Sequence, residues 1–78
     1  MLAVIVEEAG VDHVDLLRTR LFGNRIFVDV EISAADDLTL IQAHQIAENV
    51  HRAIEEHFPD VKHCMVHINP LSEKEHDY

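Results

Sequence analysis

Two histidines and a pair of carboxylates are the residues of this chain whose types and spacing suit a chemical task. His44 lies in "TLIQAHQIAENVHRAIEEHFPD" and His67 in "VKHCMVHINP". Asp29 and Glu31 stand two residues apart in "RIFVDVEIS". Imidazole nitrogen and carboxylate oxygen together are donors for borderline and hard divalent metals. Parity singles these positions out, because successive side chains of an extended strand alternate between its faces. Val28, Val30 and Ile32 share one face and must be core, which sends Phe27, Asp29 and Glu31 to the other. By the same count Cys64, Val66 and Ile68 face one way, and His63, Met65, His67 and Asn69 the other. A half-apolar face carrying histidine and carboxylates reads as a dimer surface with a metal on it. An ordinary solvated sheet face is the competing reading.

His44 falls one turn into a helical segment, on the flank of its apolar stripe, where it can reach the end of a sheet. The competing reading is a half-buried helix histidine bonded to a backbone carbonyl. His44–Glu48 and His51–Glu55 also have the spacing of ordinary i,i+4 pairs, worth about a few tenths of a kcal/mol. His13, His51, His57 and His76 read as surface histidines. Nothing points to an enzyme. The chain has only Gly10 and Gly23, so no glycine-rich loop can cradle a phosphate. Ser33 and Ser72 read as a loop edge and a tail, which gives no serine nucleophile, and no HExxH pair is present.

The elements that must position these residues follow from pattern. Residues 2–9 read as a short helix with Leu2, Ile5, Val6 and Ala9 on one face and Gly10 ending it. That apolar face starts at Met1 with no N-cap, which suggests a piece cut from a longer chain. Residues 13–22 and 25–33 read as two strands joined at Gly23-Asn24. Residues 34–38 form a loop. Thr39 then opens a helix with a capping box, Thr39 at the N-cap and Gln42 three residues on. The helix should run to about His57, because Pro59 blocks continuation. Its stripe of Ala43, Ile46, Ala47, Val50, Ala53, Ile54 and Phe58 is broad enough to pack on a sheet. Residues 61–69 form the last strand. A strand-helix-strand unit favours parallel pairing with a right-handed crossover. The expected fold is therefore an α+β, ferredoxin-like αββαβ sandwich that lacks the first strand of that fold, with a three-stranded sheet and two helices on one face. Residues 1–70 make one domain, and residues 71–78, "LSEKEHDY", a flexible tail.

Composition narrows the partners. A chain of 78 residues with a net charge of −9 does not suit nucleic acid, whose phosphates demand Lys and Arg. It suits a cation, although acidity also serves plain solubility. The single cysteine, Cys64, cannot form an internal disulfide, which fits a reducing cytosol, and on an apolar face it reads as a small buried hydrophobe. No stretch approaches the roughly 18 apolar residues of a membrane span. No signal peptide is visible either, so the chain is expected to be soluble.

Taken in order and spacing, "HVDLLRTRLFGNRIFVDVEI", "LTLIQAHQIAENVHRAIEEHFP" and "MVHINP" resemble the C-terminal cytosolic domain of cation diffusion facilitator transporters, over about residues 10–70. The resemblance implies a metallochaperone-like αββαβ fold and a homodimer. It implies attachment to the transmembrane domain of the same full-length transporter in an inner or plasma membrane. It also implies binding of a divalent metal, zinc first and manganese or ferrous iron as alternatives, which tightens the dimer to favour transport. His44 and His67 match ligand histidines of the family. Asp15 and Glu31 take places that often hold histidine, and Asp29 matches a carboxylate ligand of other members. Asn69 departs from the family, whose strand often ends His-x-Asp-Pro with an aspartate able to bridge two metals. That departure and the two acidic replacements favour fewer or harder ions. Asp15 falls on the side of Leu17 and Thr19 by parity, so it joins the site only if the strand starts late or bulges. Two other readings stay open: a purely structural dimerisation module, and a small-molecule-binding regulatory domain, which would need an interfacial glycine-rich loop that this chain lacks.

Overall fold

The computed structural model describes residues 1–72. The element order is α1 (Leu2–Val6), β1 (His13–Phe22), β2 (Arg25–Ala34), α2 (Leu40–His57) and β3 (Val61–Pro70). The three strands form one mixed sheet in the order β1-β2-β3, with β1 antiparallel to β2 and β3 parallel to it. This is the expected αββαβ sandwich. The flexible-tail expectation falls for residues 73–78 outside the described residues. Of its first two residues, Ser72 donates its backbone N–H to Asp36 Oδ1 at 3.0 Å.

The core is built by parity. Val28, Val30, Ile32 and Ala34 of β2 are buried and pack with Ile46, Val50 and Ile54 of α2, Ile5 of α1 and Val61 of β3. Val66, Cys64 and Ile68 line the same side at half-burial. The helix starts as its sequence dictates. Thr39 Oγ1 accepts from Gln42 N at 3.1 Å, and Gln42 Oε1 accepts from Thr39 N at 2.9 Å, so both halves of the capping box form. At the other end His57 Nδ1 lies 2.9 Å from the Ala53 carbonyl oxygen, one turn back along the helix.

Three boundaries differ from expectation. Helix α1 stops at Val6 rather than residue 9. Only Ile5 of its apolar face is buried, while Leu2 and Val6 are about half exposed. A five-residue helix makes little more than one turn and can seat only one such residue. Strand β2 runs one residue further, to Ala34, and β3 one further, to Pro70. The two ends pair with each other, Ala34 opposite Pro70, so each extension supports the other.

Gly10 links α1 to the sheet with φ of +92°, where L-residues are strained. A Cβ at this position would lie 2.6 Å from Ile46 Cδ1 and 2.9 Å from its Cγ1, inside contact distance of a buried side chain. Gly10→Ala should therefore destabilise the domain by about 1–3 kcal/mol through backbone strain and overpacking together. Thermal melting should show a drop of roughly 4–8 °C per kcal/mol for a domain of this size. An unchanged midpoint would mean that α1 can move off α2 without cost.

Candidate metal and dimer site

The side of the sheet away from the helices carries three rows of side chains. Strand β2 contributes Phe27, Asp29, Glu31 and Ser33. Opposite them β1 brings Arg20, Arg18, Leu16 and His13, and β3 brings His63, Met65, His67 and Asn69. One end of this face is aromatic. The Phe22 and Phe27 rings meet edge to face at 5.1 Å, and the His63 ring lies 5.5 Å from that of Phe27. Met65 beside them is 59% exposed.

The other end is polar and is organised by a bulge. The β1–β2 register shifts between Val14 and Leu16, which pair with Ile32 and Glu31. Asp15 is the extra residue, so it escapes the alternation that would send it to the core side with Leu17 and Thr19. Its carboxylate Oδ2 accepts a short hydrogen bond from Ser33 Oγ and another, at 3.2 Å, from Asn69 Nδ2. The same Asn69 nitrogen donates to Glu31 Oε1 at 3.2 Å. His67 is the register partner of Glu31 on the neighbouring strand and is exposed. The sheet thus brings Asp15, Glu31 and His67 to one end of one face.

Asp29 and His44 are placed otherwise. Asp29 Oδ2 accepts from Arg20 Nη2 at 2.8 Å, an ion pair across β1 and β2. His44 is 74% exposed at its side chain, with Nε2 3.7 Å from Glu48 Oε1. It lines an apolar cleft of about 350 Å³ with Ala34, Leu38, Ile68, Asn69 and Pro70, between the start of α2 and the ends of β2 and β3. So it reaches the end of the sheet, as expected, but from the helix side. Among the described residues, no group of three or more His, Cys, Asp or Glu side chains is placed to hold a metal ion within one copy of the chain.

Three partners here escaped sequence reasoning. Ser33 lies inside β2 and is fully buried, where a loop edge was expected. The odd-numbered series Phe27, Asp29, Glu31, Ser33 carried the signal. Arg20 was not read as a neighbour of Asp29, because that needs the hairpin register. Asn69 acts as a hydrogen-bond donor to carboxylates, a role its position alone does not reveal. Asp36 and Cys64 lie outside this face, and their own surroundings shift them. The Ser72 backbone N–H, and after it the Ser72 hydroxyl, hold the Asp36 carboxyl below the usual carboxylate range. Burial, with smaller contributions from the Glu55 and Asp29 charges, pushes the half-buried Cys64 thiol up to about 11.

A mixed three-stranded sheet with both helices on one side and a polar, bulged end on the other is the ferredoxin-like α+β class of sandwich. The cytoplasmic-domain family of cation efflux proteins matches residues 1–71, and the chain belongs to it. This is the cation diffusion facilitator family, a family of transporters and not of enzymes. The manganese efflux system protein MneP of Bacillus subtilis (strain 168) is 36% identical over 72 residues, which is 92% of this chain and 24% of that protein. The cation-efflux pump FieF of Pectobacterium carotovorum subsp. carotovorum (strain PC1) is 36% identical over 69 residues, 88% of this chain and 23% of that protein. The chain spans about a quarter of the length of these curated relatives. A solved structure of MamM CTD superposes with a TM-score of 0.84 at 28% identity, covering 87% of this chain and 86% of that one. A copper form of a histidine-for-aspartate variant of MamM CTD gives the same TM-score at 26% identity, over 87% and 85% of the two chains. No helix among the described residues is long and apolar enough to cross a membrane.

The raised thiol pKa predicts how Cys64 reacts. In the folded domain, alkylation by iodoacetamide should stay slow at neutral pH and accelerate only as pH approaches about 11, because the thiolate is the nucleophile. The denatured chain should follow the ordinary thiol curve near 9.0. Coincident pH profiles for the two states would show that the sheet does not shield this sulfur.

Proposed function

We propose that the chain is the regulatory cytosolic domain of a divalent-cation efflux transporter, which binds metal and pairs with a second copy to control transport. The observation that carries this reading is the bulge that brings Asp15 to Glu31 and Asn69 beside His67, on a sheet face that no element among the described residues covers. Two carboxylates and an imidazole suit a divalent cation by donor chemistry. An oxygen-rich set accepts manganese or ferrous iron as well as zinc, the metal expected first. One relative supports the manganese end of this range, being named for manganese efflux. Asp15, Glu31 and His67 would hold the ion. Asp29 would join by leaving Arg20, and His44 would join from the cleft at the strand ends. A site short of three ready donors in one copy is completed most simply where two copies meet. The domain's partner would be the transmembrane domain of the same full-length transporter.

The second reading, a structural dimerisation module without metal, is favoured by the Arg20–Asp29 ion pair, which occupies one of the five candidate ligands. Calorimetric titration with zinc and with manganese separates the two readings, because only the first predicts saturable binding. His44→Ala combined with His67→Ala should weaken zinc binding by at least about tenfold, or roughly 1.4 kcal/mol. Acid should weaken it too, since a protonated imidazole has no lone pair to offer. Unchanged binding in the double variant would remove both histidines from the site. Sedimentation at high micromolar concentration should show a dimer, and a chain that stays monomeric with and without metal would contradict pairing.

A further inference from the structure

The Asn69 amide nitrogen sits 3.2 Å from Asp15 Oδ2 and 3.2 Å from Glu31 Oε1. An amide NH2 has two hydrogens, so one nitrogen can serve both carboxylates at once. These three residues come from β1, β2 and β3, and the buried Ser33 hydroxyl fixes Asp15 from below. Two like charges drawn to one point repel unless something positive lies between them. Here that something is the positive end of an amide dipole.

We propose that Asn69 is a built-in cation substitute: its NH2 group ties the Asp15 and Glu31 carboxylates across all three strands, and a metal ion enters there only by displacing it. Asn69 is then a positioning residue in the metal-free domain and a competitor of the metal, not one of its ligands. The metal-related half rests on the function proposed above; the tie itself does not. The arrangement keeps the polar end of the sheet formed when no metal is present. It also sets a threshold, because an ion must outcompete two charge-assisted hydrogen bonds before it can bind.

The test compares wild type with Asn69→Ala and Asn69→Asp, by melting in chelator and by calorimetric titration with manganese. Without metal, Asn69→Ala should melt lower by roughly 4–8 °C, since it removes the donor of both bonds. Asn69→Asp should melt lower still, because it puts a third carboxylate in place of the donor. With manganese the order should invert: Asn69→Ala should bind at least about threefold more tightly than wild type, and Asn69→Asp at least about tenfold. A merely structural residue would not raise metal affinity when removed. Weaker manganese binding by Asn69→Ala would make Asn69 a ligand and overturn the competition. A wild-type melting point for Asn69→Ala in chelator would overturn the tie. If none of the three forms takes up manganese or zinc while Asn69→Ala still melts lower, the metal reading falls and the tie stands as a metal-independent clamp.

Discussion

Strand β2 is paired along both edges, yet the described residues supply helices for only one of its faces. Val28, Val30 and Ile32 on that face are closed off by α1 and α2 to nearly complete burial. Each such side chain contributes about 1.5–3 kcal/mol of apolar burial, so this face cannot slip register without losing most of the core. The alternation that holds Val30 inward obliges Asp29 and Glu31 to face outward. The position of every candidate ligand on β2 is thus set by hydrophobic packing on the other side of the sheet. Strand β3 is locked to the same frame, because Cys64, Val66 and Ile68 join the core side and leave Met65, His67 and Asn69 beside the β2 carboxylates.

An open sheet face is normally wet or covered by a partner. Here one end is apolar, with Phe22, Phe27 and Met65, and the other holds carboxylates on a chain of net charge −9. The apolar end favours contact with another copy, while the acidic end opposes it. Each carboxylate is answered locally. Asp29 has Arg20, and Asp15 and Glu31 share Asn69. An exposed ion pair such as Arg20–Asp29 contributes about 1 kcal/mol at most. These local partners moderate the repulsion without removing the net negative charge, and a divalent ion would neutralise two units of it at a stroke. Coupling between metal and subunit contact needs only about 1–3 kcal/mol, the usual scale for linked sites.

Most of the fold could be read from the sequence because its signals were local. The capping box at Thr39, the stop at Pro59 and the alternation of residues 27–32 each rest on neighbours within a few positions. Parallel pairing of β2 with β3 followed from the strand-helix-strand order. The site was readable only as membership of a face. Glu31 and His67 could be put on that face by counting, but Asp15 could not, because a bulge breaks the count and nothing in "HVDLL" announces it. The bond from Asn69 to Asp15 spans 54 residues and that from Ser33 to Asp15 spans 18. Such contacts depend on cross-strand register, which a single sequence does not specify. His44 was expected at the sheet end and is there, yet its approach from the helix side depends on how α2 sits over β3.

The central claim is that metal draws two copies together at the polar end of the open face. Small-angle scattering of the dimer, with and without saturating zinc or manganese, tests it most directly. The account predicts a smaller radius of gyration with metal, because neutralised carboxylates let the acidic ends approach. An identical radius at saturating metal, with binding verified in the same sample, would contradict the coupling and leave a metal held by one copy alone.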